Sequence, residues 1–171
     1  MNYLALDFET TGLDWKTGRV VEIGAVRFSL GTGGCVEEAS MACLVDPGMP
    51  IPSRASAIHG ICDDDVACAH SFEEVAPALL AMAEGATIVA HNVRFDLSFL
   101  DAELSRIGLA RPEAKTEDTV ALSRRAFPGR ASYRLDAIAT ALGIDPGDSH
   151  RALDDAKTCM HLYGACERQL R

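Results

Sequence analysis

The stretch Asn2 to Phe8 constrains the fold more than any other segment. It is dense in apolar side chains without clean alternation, the pattern of a strand buried on both faces of a sheet. Thr10, Thr11 and Gly12 end it. Val20 to Leu30 and Cys35 to Val45 then carry β-branched and apolar residues on either side of Gly31-Thr-Gly-Gly34, which predicts strand, turn, strand. Together the three segments predict an antiparallel three-stranded meander.

Beyond Asp46, Pro47 and Pro52 the pattern changes. Ser71 with Glu74 reads as a capping box ahead of Val75, Leu79, Leu80 and Met82 at helical spacing. A short strand over Thr87 to Ala90 ends at His91 and Asn92, and Phe95, Phe99, Leu100, Leu104 and Ile107 recur with a helical period. Further helices are predicted at about 118–127 and 133–142. A last helix is predicted from near Ala152, with Leu153, Ala156, Met160 and Tyr163 on one face and Asp154 and Asp155 in its acidic first turn. Strands first, then alternating helix and strand, imply an α/β layer architecture: a mixed sheet flanked by helices. A length of 171 residues with 48% apolar side chains predicts one domain over 1–171.

Sixteen Lys and Arg against 25 Asp and Glu leave a net charge of −9, which argues against coating nucleic acid by bulk electrostatics. A grip on a strand end through metal ions is still open to such a chain. Between Arg106 and Arg134 the balance reverses to +4, a candidate phosphate-guiding patch, with ordinary helix-surface arginines as the alternative. Trp15 reads either as a base-stacking residue or as a cover for the core. The six cysteines show no zinc-ribbon spacing and read as reduced core residues. No basic leader precedes Asp7 and no apolar run approaches a membrane span, so the expectation is a cytoplasmic chain with no membrane partner.

Residues two apart on a strand share a face, about 7 Å between Cα atoms, so Asp7 and Glu9 can present two carboxylates to one pocket while Phe8 turns into the core. Asp96 falls near the end of the strand before its helix. His150 and Asp155 converge only if His150 lies on a loop before the last helix, because five helical residues would separate them by about 140°. Imidazole exchanges protons near neutral pH, which makes His150 the natural general base. Four clustered carboxylates repel one another and predict a bound cation; oxygen ligands point to Mg²⁺ or Mn²⁺. Asp154 competes with Asp155 on charge alone, and the spacing from His150 selects Asp155.

Asp7-Phe-Glu-Thr-Thr-Gly-Leu13, His91-Asn-Val-Arg-Phe-Asp96 and His150-Arg-Ala-Leu-Asp-Asp155 resemble, in order, the three motifs of the DEDDh exonucleases, specifically the DnaQ-like proofreading domain of DNA polymerase III. Ile58-His-Gly-Ile61, Glu117-Asp-Thr119, Phe127-Pro-Gly129 and Tyr133-Arg-Leu-Asp136 through Leu142-Gly-Ile144 resemble its connecting segments. The resemblance implies an RNase H-like fold with a mixed five-stranded sheet, the meander plus parallel strands. It also implies two metal ions, Mg²⁺ or Mn²⁺, on Asp7, Glu9, Asp96 and Asp155 with His150 as base. Thr10, Leu13, His59, Asn92 and Phe95 would contact the terminal nucleotide. The implied activity is 3′→5′ hydrolysis of single-stranded or frayed DNA, releasing nucleoside 5′-monophosphates. RNA trimming and a non-cutting 3′-end or partner-binding module are the alternatives. A polymerase is an open partner, although the chain stops at Arg171, which predicts that the attachment extension of the epsilon subunit is missing.

Overall fold

Strand β1 (Asn2–Thr10) takes the inner position because it is paired on both edges, antiparallel to β2 (Val20–Gly31) and parallel to β5 (Ala86–Ala90). The structure is a computed structural model describing residues 1–171. The remaining strands are β3 (Gly34–Asp46), β4 (His70–Ser71) and β6 (Thr116–Asp118). Their order in the sheet is β4-β3-β2-β1-β5-β6. The helices are α1 (Ser53–His59), α2 (Asp63–Val66), α3 (Phe72–Ala83), α4 (Val93–Arg106), α5 (Thr119–Ala126), α6 (Leu135–Ala141) and α7 (Ala152–Leu170). The sheet therefore has six strands, not the five expected. The two-residue β4 extends the β3 edge, and a segment this short carries no periodicity to read.

The two faces of β1 explain its unbroken apolar run. Leu4, Leu6 and Phe8 join α3 and α4 through Val75, Leu79, Phe99 and Leu104. Tyr3 and Ala5 face the other way onto α7. There Tyr3 lies 5.2 Å from Phe28 and 5.0 Å from Tyr163 between ring centroids, aromatic contacts worth about 0.5–1.5 kcal/mol each beyond burial. The capping box forms as expected, with the Ser71 amide donating to Glu74 Oε2 at 2.7 Å. Cys159 and Cys166 are core residues, but Cys62 and Cys68 are exposed and Cys35 and Cys43 half-buried, so the all-core expectation holds for two of the six. No helix is long and apolar enough to cross a membrane.

Candidate active site

Along the α7-facing stripe of β1 the residues run Tyr3, Ala5, Asp7, Glu9, so period-two alternation turns an apolar stripe acidic at its end. Across on β2, Asp7 is opposite Gly24 and Glu9 opposite Glu22. Pairing of β1 with β5 ends at Ala5 opposite Val89. Beyond that point the Phe8 amide donates to Asp96 Oδ1 at 3.2 Å, which holds Asp96, in the first turn of α4, against β1.

The third motif arrives on α7, and β2 is built to receive it. A Cβ on Gly24 would lie 2.0 Å from the carbonyl carbon and oxygen of Ala152, so the backbone at the start of α7 rests directly on the strand. Beside it the buried Glu22 accepts from the Ala152 amide at 3.0 Å and from Arg151 Nη2 at 2.7 Å, anchoring the positive end of the helix with charge-assisted bonds. One residue earlier, His150 adopts a left-handed backbone, φ 68°, and its amide donates to Asp155 Oδ2 at 3.0 Å. The imidazole thus sits on a loop beside Asp155 rather than around the helix from it. Asp154 accepts instead from the Asp148 amide at 3.3 Å.

Ligand atoms of Glu9, His150 and Asp155 lie within 4.8 Å of one another. Burial, then the charges of Asp155, Glu22 and Asp96, pushes Glu9 up to about 8. Burial pushes Asp96 up to about 8 as well, although the Phe8 amide opposes it. Asp7 keeps some exposure, yet desolvation of its carboxyl, followed by repulsion from Asp96, Asp155 and Glu9, holds it well above the usual range. Burial also raises Asp155. The Arg151 guanidinium, which lowers Glu9, is already held by Glu22. An oxygen-rich cluster with uncompensated negative charge fits a hard divalent cation.

These shifts have a measurable sign. Glu9 and Asp96 titrate above their ordinary 4.5 and 3.8, so the metal-free folded chain keeps protons that the unfolded chain has lost. Their contribution to stability is therefore lost as pH rises from about 4 toward about 8. In EDTA, Tm is expected to be lower at about pH 8 than at about pH 5.5, and Mg²⁺ or Mn²⁺ should restore it most at the higher pH. Equal Tm values that ignore the metal would contradict the cluster.

Next to Glu9 a cavity of about 510 Å³ is lined by Thr10, Leu13, His59 and Phe95. Four of the five expected nucleotide contacts therefore share one hollow. Asn92 is apart from this lining, as the exposed, left-handed N-cap of α4. Leu13 and Ile58 are 85% and 60% exposed at its walls. His59 is buried, its Nδ1 accepts from the Ile61 amide at 3.1 Å, and its Nε2 has no partner. Burial lowers its pKa, opposed by the nearby Thr10 backbone, so the neutral ring with Nδ1 accepting carries its proton on Nε2, in the cavity wall beside Thr10. His91 does different work: its Nδ1 meets Thr119 Oγ1 at 2.9 Å and its Nε2 the Tyr133 carbonyl at 2.8 Å, tying the end of β5 to α5.

Glu22, Gly24 and the whole of α1 are not among the elements and residues expected from the sequence. A lone acid and a lone glycine inside the apolar run Val20 to Val26 are the available signal for the first two. Helix α1 has seven residues and no side-chain cap, too little to announce itself.

The sequence profile of the RNase_T family, described as exonuclease, matches residues 4–163. DNA polymerase III subunit epsilon of Treponema pallidum is 38% identical over 94% of the chain and 74% of its own length. The 3′-5′ exonuclease DinG of Bacillus subtilis is 35% identical over 99% of the chain, and the PolC-type DNA polymerase III of Thermotoga maritima 37% over 94%. The chain spans 18% and 11% of those two proteins. Among solved structures, exonuclease X in complex with 5′ overhanging duplex DNA superposes with a TM-score of 0.70 at 29% identity, covering 97% of this chain and 87% of that one. Exonuclease I reaches 0.83 at 17% identity, covering 98% of this chain and 41% of that one, and shares the RNase H-like fold. With its ordered acids, its cavity and a profile match over nearly its whole length, the chain belongs to the RNase_T exonuclease family.

Proposed function

We propose that the chain is a metal-dependent 3′→5′ exonuclease that hydrolyses the last phosphodiester of a single-stranded or frayed DNA end and releases a nucleoside 5′-monophosphate. The observation that carries this is the meeting of Glu9, His150 and Asp155 within 4.8 Å, beside Asp7 and Asp96 and at the edge of a nucleoside-sized cavity. Asp7, Glu9, Asp96 and Asp155 would hold two Mg²⁺ or Mn²⁺ ions. Bound there, such ions lower the pKa of water and stabilise charge on the phosphate oxygens. His150 takes the proton of the attacking water, and the bond from its amide to Asp155 sets where its ring stands. Leu13, Ile58 and Phe95 enclose the terminal base and sugar, and the free Nε2 of His59 donates to an oxygen of that nucleotide. In this reading residues 1–171 act as one exonuclease domain in the cytoplasm. A polymerase is a candidate partner, as the name of the epsilon relative suggests.

The test is a 5′-labelled DNA strand incubated with Mg²⁺ or Mn²⁺. The expected products are labelled strands shortened one nucleotide at a time, and EDTA abolishes them. A labelled mononucleotide as first product, or digestion that survives EDTA, would sink the proposal. Matched RNA and DNA strands in the same assay decide the substrate sugar, with DNA expected to be cut faster.

A further inference from the structure

Trp15 is the chain's single tryptophan, and it is 43% exposed. It sits on a turn that the rest of the molecule holds still. The Asp14 carbonyl accepts from the Thr17 and Gly18 amides at 3.2 and 2.7 Å, and its side chain accepts from the Lys16 amide at 3.0 Å. Arg106 Nη2, at the end of α4, donates to the carbonyls of Trp15 and Gly18 at 3.1 and 3.2 Å. The buried Glu103 secures the next residue by accepting from Arg19 Nε at 2.9 Å and from the Val20 amide at 3.0 Å. Lys16 Nζ lies 5.5 Å from the indole centroid.

Between this turn and α4 runs an open cavity of about 600 Å³, walled by Trp15, Lys16, Ser98, Ser105 and Arg106. It continues into a second hollow of about 810 Å³ that bears Arg111 and Lys115. Asp101, shared by both, is neutralised by Arg111 Nε at 2.9 Å, and Glu113 is the further acid of the path. In a chain of net charge −9, this route is cationic. The catalytic cavity lies next to it along both elements, for its walls include Asp14, the chain neighbour of Trp15, and Phe95, one helical turn before Ser98. From Phe95 to Ser105 the helix advances about 15 Å, room for roughly four stacked nucleotides at about 3.4 Å each.

We propose that this groove binds the single-stranded nucleotides immediately 5′ of the one being removed, with Trp15 as the stacking platform and Lys16 and Lys115 facing the phosphates. A held aromatic ring is suited to this because it stacks on any base without selecting a sequence. The inference rests on the exonuclease reading, and the two can fail separately.

Tryptophan emission reports Trp15 alone. In EDTA, where no turnover occurs, oligothymidylate of about six nucleotides should quench it saturably, while thymidine 5′-monophosphate should not. In Mg²⁺, Trp15→Ala should raise KM for the oligonucleotide roughly tenfold and leave kcat and hydrolysis of the one-nucleotide substrate thymidine 5′-monophosphate p-nitrophenyl ester unchanged. Trp15→Phe should recover most of the loss. Unquenched emission together with an unchanged KM in Trp15→Ala, in a protein that digests DNA, overturns the groove. If the parent protein digests neither substrate, the catalytic reading falls, and the emission titration still decides whether a strand lies on Trp15.

Discussion

Replacing Asp7 by Ala is expected to leave a folded protein whose exonuclease rate falls by about 10³-fold or more. Asp7 sits where the acidic stripe begins, among Asp96, Asp155 and Glu9, and its carboxyl is one of the proposed metal ligands. A ligand to the reacting centre contributes several kcal/mol, and each ~1.4 kcal/mol is a factor of ten in rate. The same substitution removes one of several mutually repelling carboxylates, so in EDTA at about pH 8 the variant should melt at or above the parent temperature. A variant that digests DNA at the parent rate would contradict the assignment, and one that has simply unfolded would be recognised by its melt.

Gly24→Ala is expected to damage stability and activity together. The added methyl would lie 2.0 Å from the Ala152 carbonyl, which is backbone in the first turn of α7 and cannot swing aside as a side-chain tip can. Relief requires α7 to lift from β2, at a cost of about 3 kcal/mol or more. Asp155 and His150 would move with it, and a displacement of about 1 Å lowers a rate about 10²-fold. Gly33→Ala is the matched control, because nothing lies within 4 Å of its added methyl. Thermal melts and kcat measured side by side decide the matter: parent-like values for Gly24→Ala would mean that the close approach is not required.

The proposed catalytic acids are legible in the sequence because each rides on an element with a strong local signature. Asp7 and Glu9 end an apolar run, Asp96 follows a β-strand into a helix with a clear period, and Asp155 stands in the acidic first turn of another. The loop position of His150 follows from spacing alone. The parts that stay hidden depend on neighbours. Glu22 and Gly24 make sense only once α7 is known to land on β2, a contact between residues more than a hundred positions apart. The same holds for the platform of Trp15, which exists because Arg106, far along the chain, grips its carbonyl. Short elements such as α1, β4 and β6 take their form from what they pack against, so their own residues carry little to read.

The landing of α7 on β2 also sets a timetable. Glu22 emerges from the ribosome well before Arg151 and Ala152, which lie more than a hundred residues downstream. Until they arrive, the two groups that β1 offers have no imidazole and no third-motif carboxylate beside them. A nascent chain that stops short of the third motif therefore lacks His150 and Asp155, and the proposed site is complete only once α7 has docked.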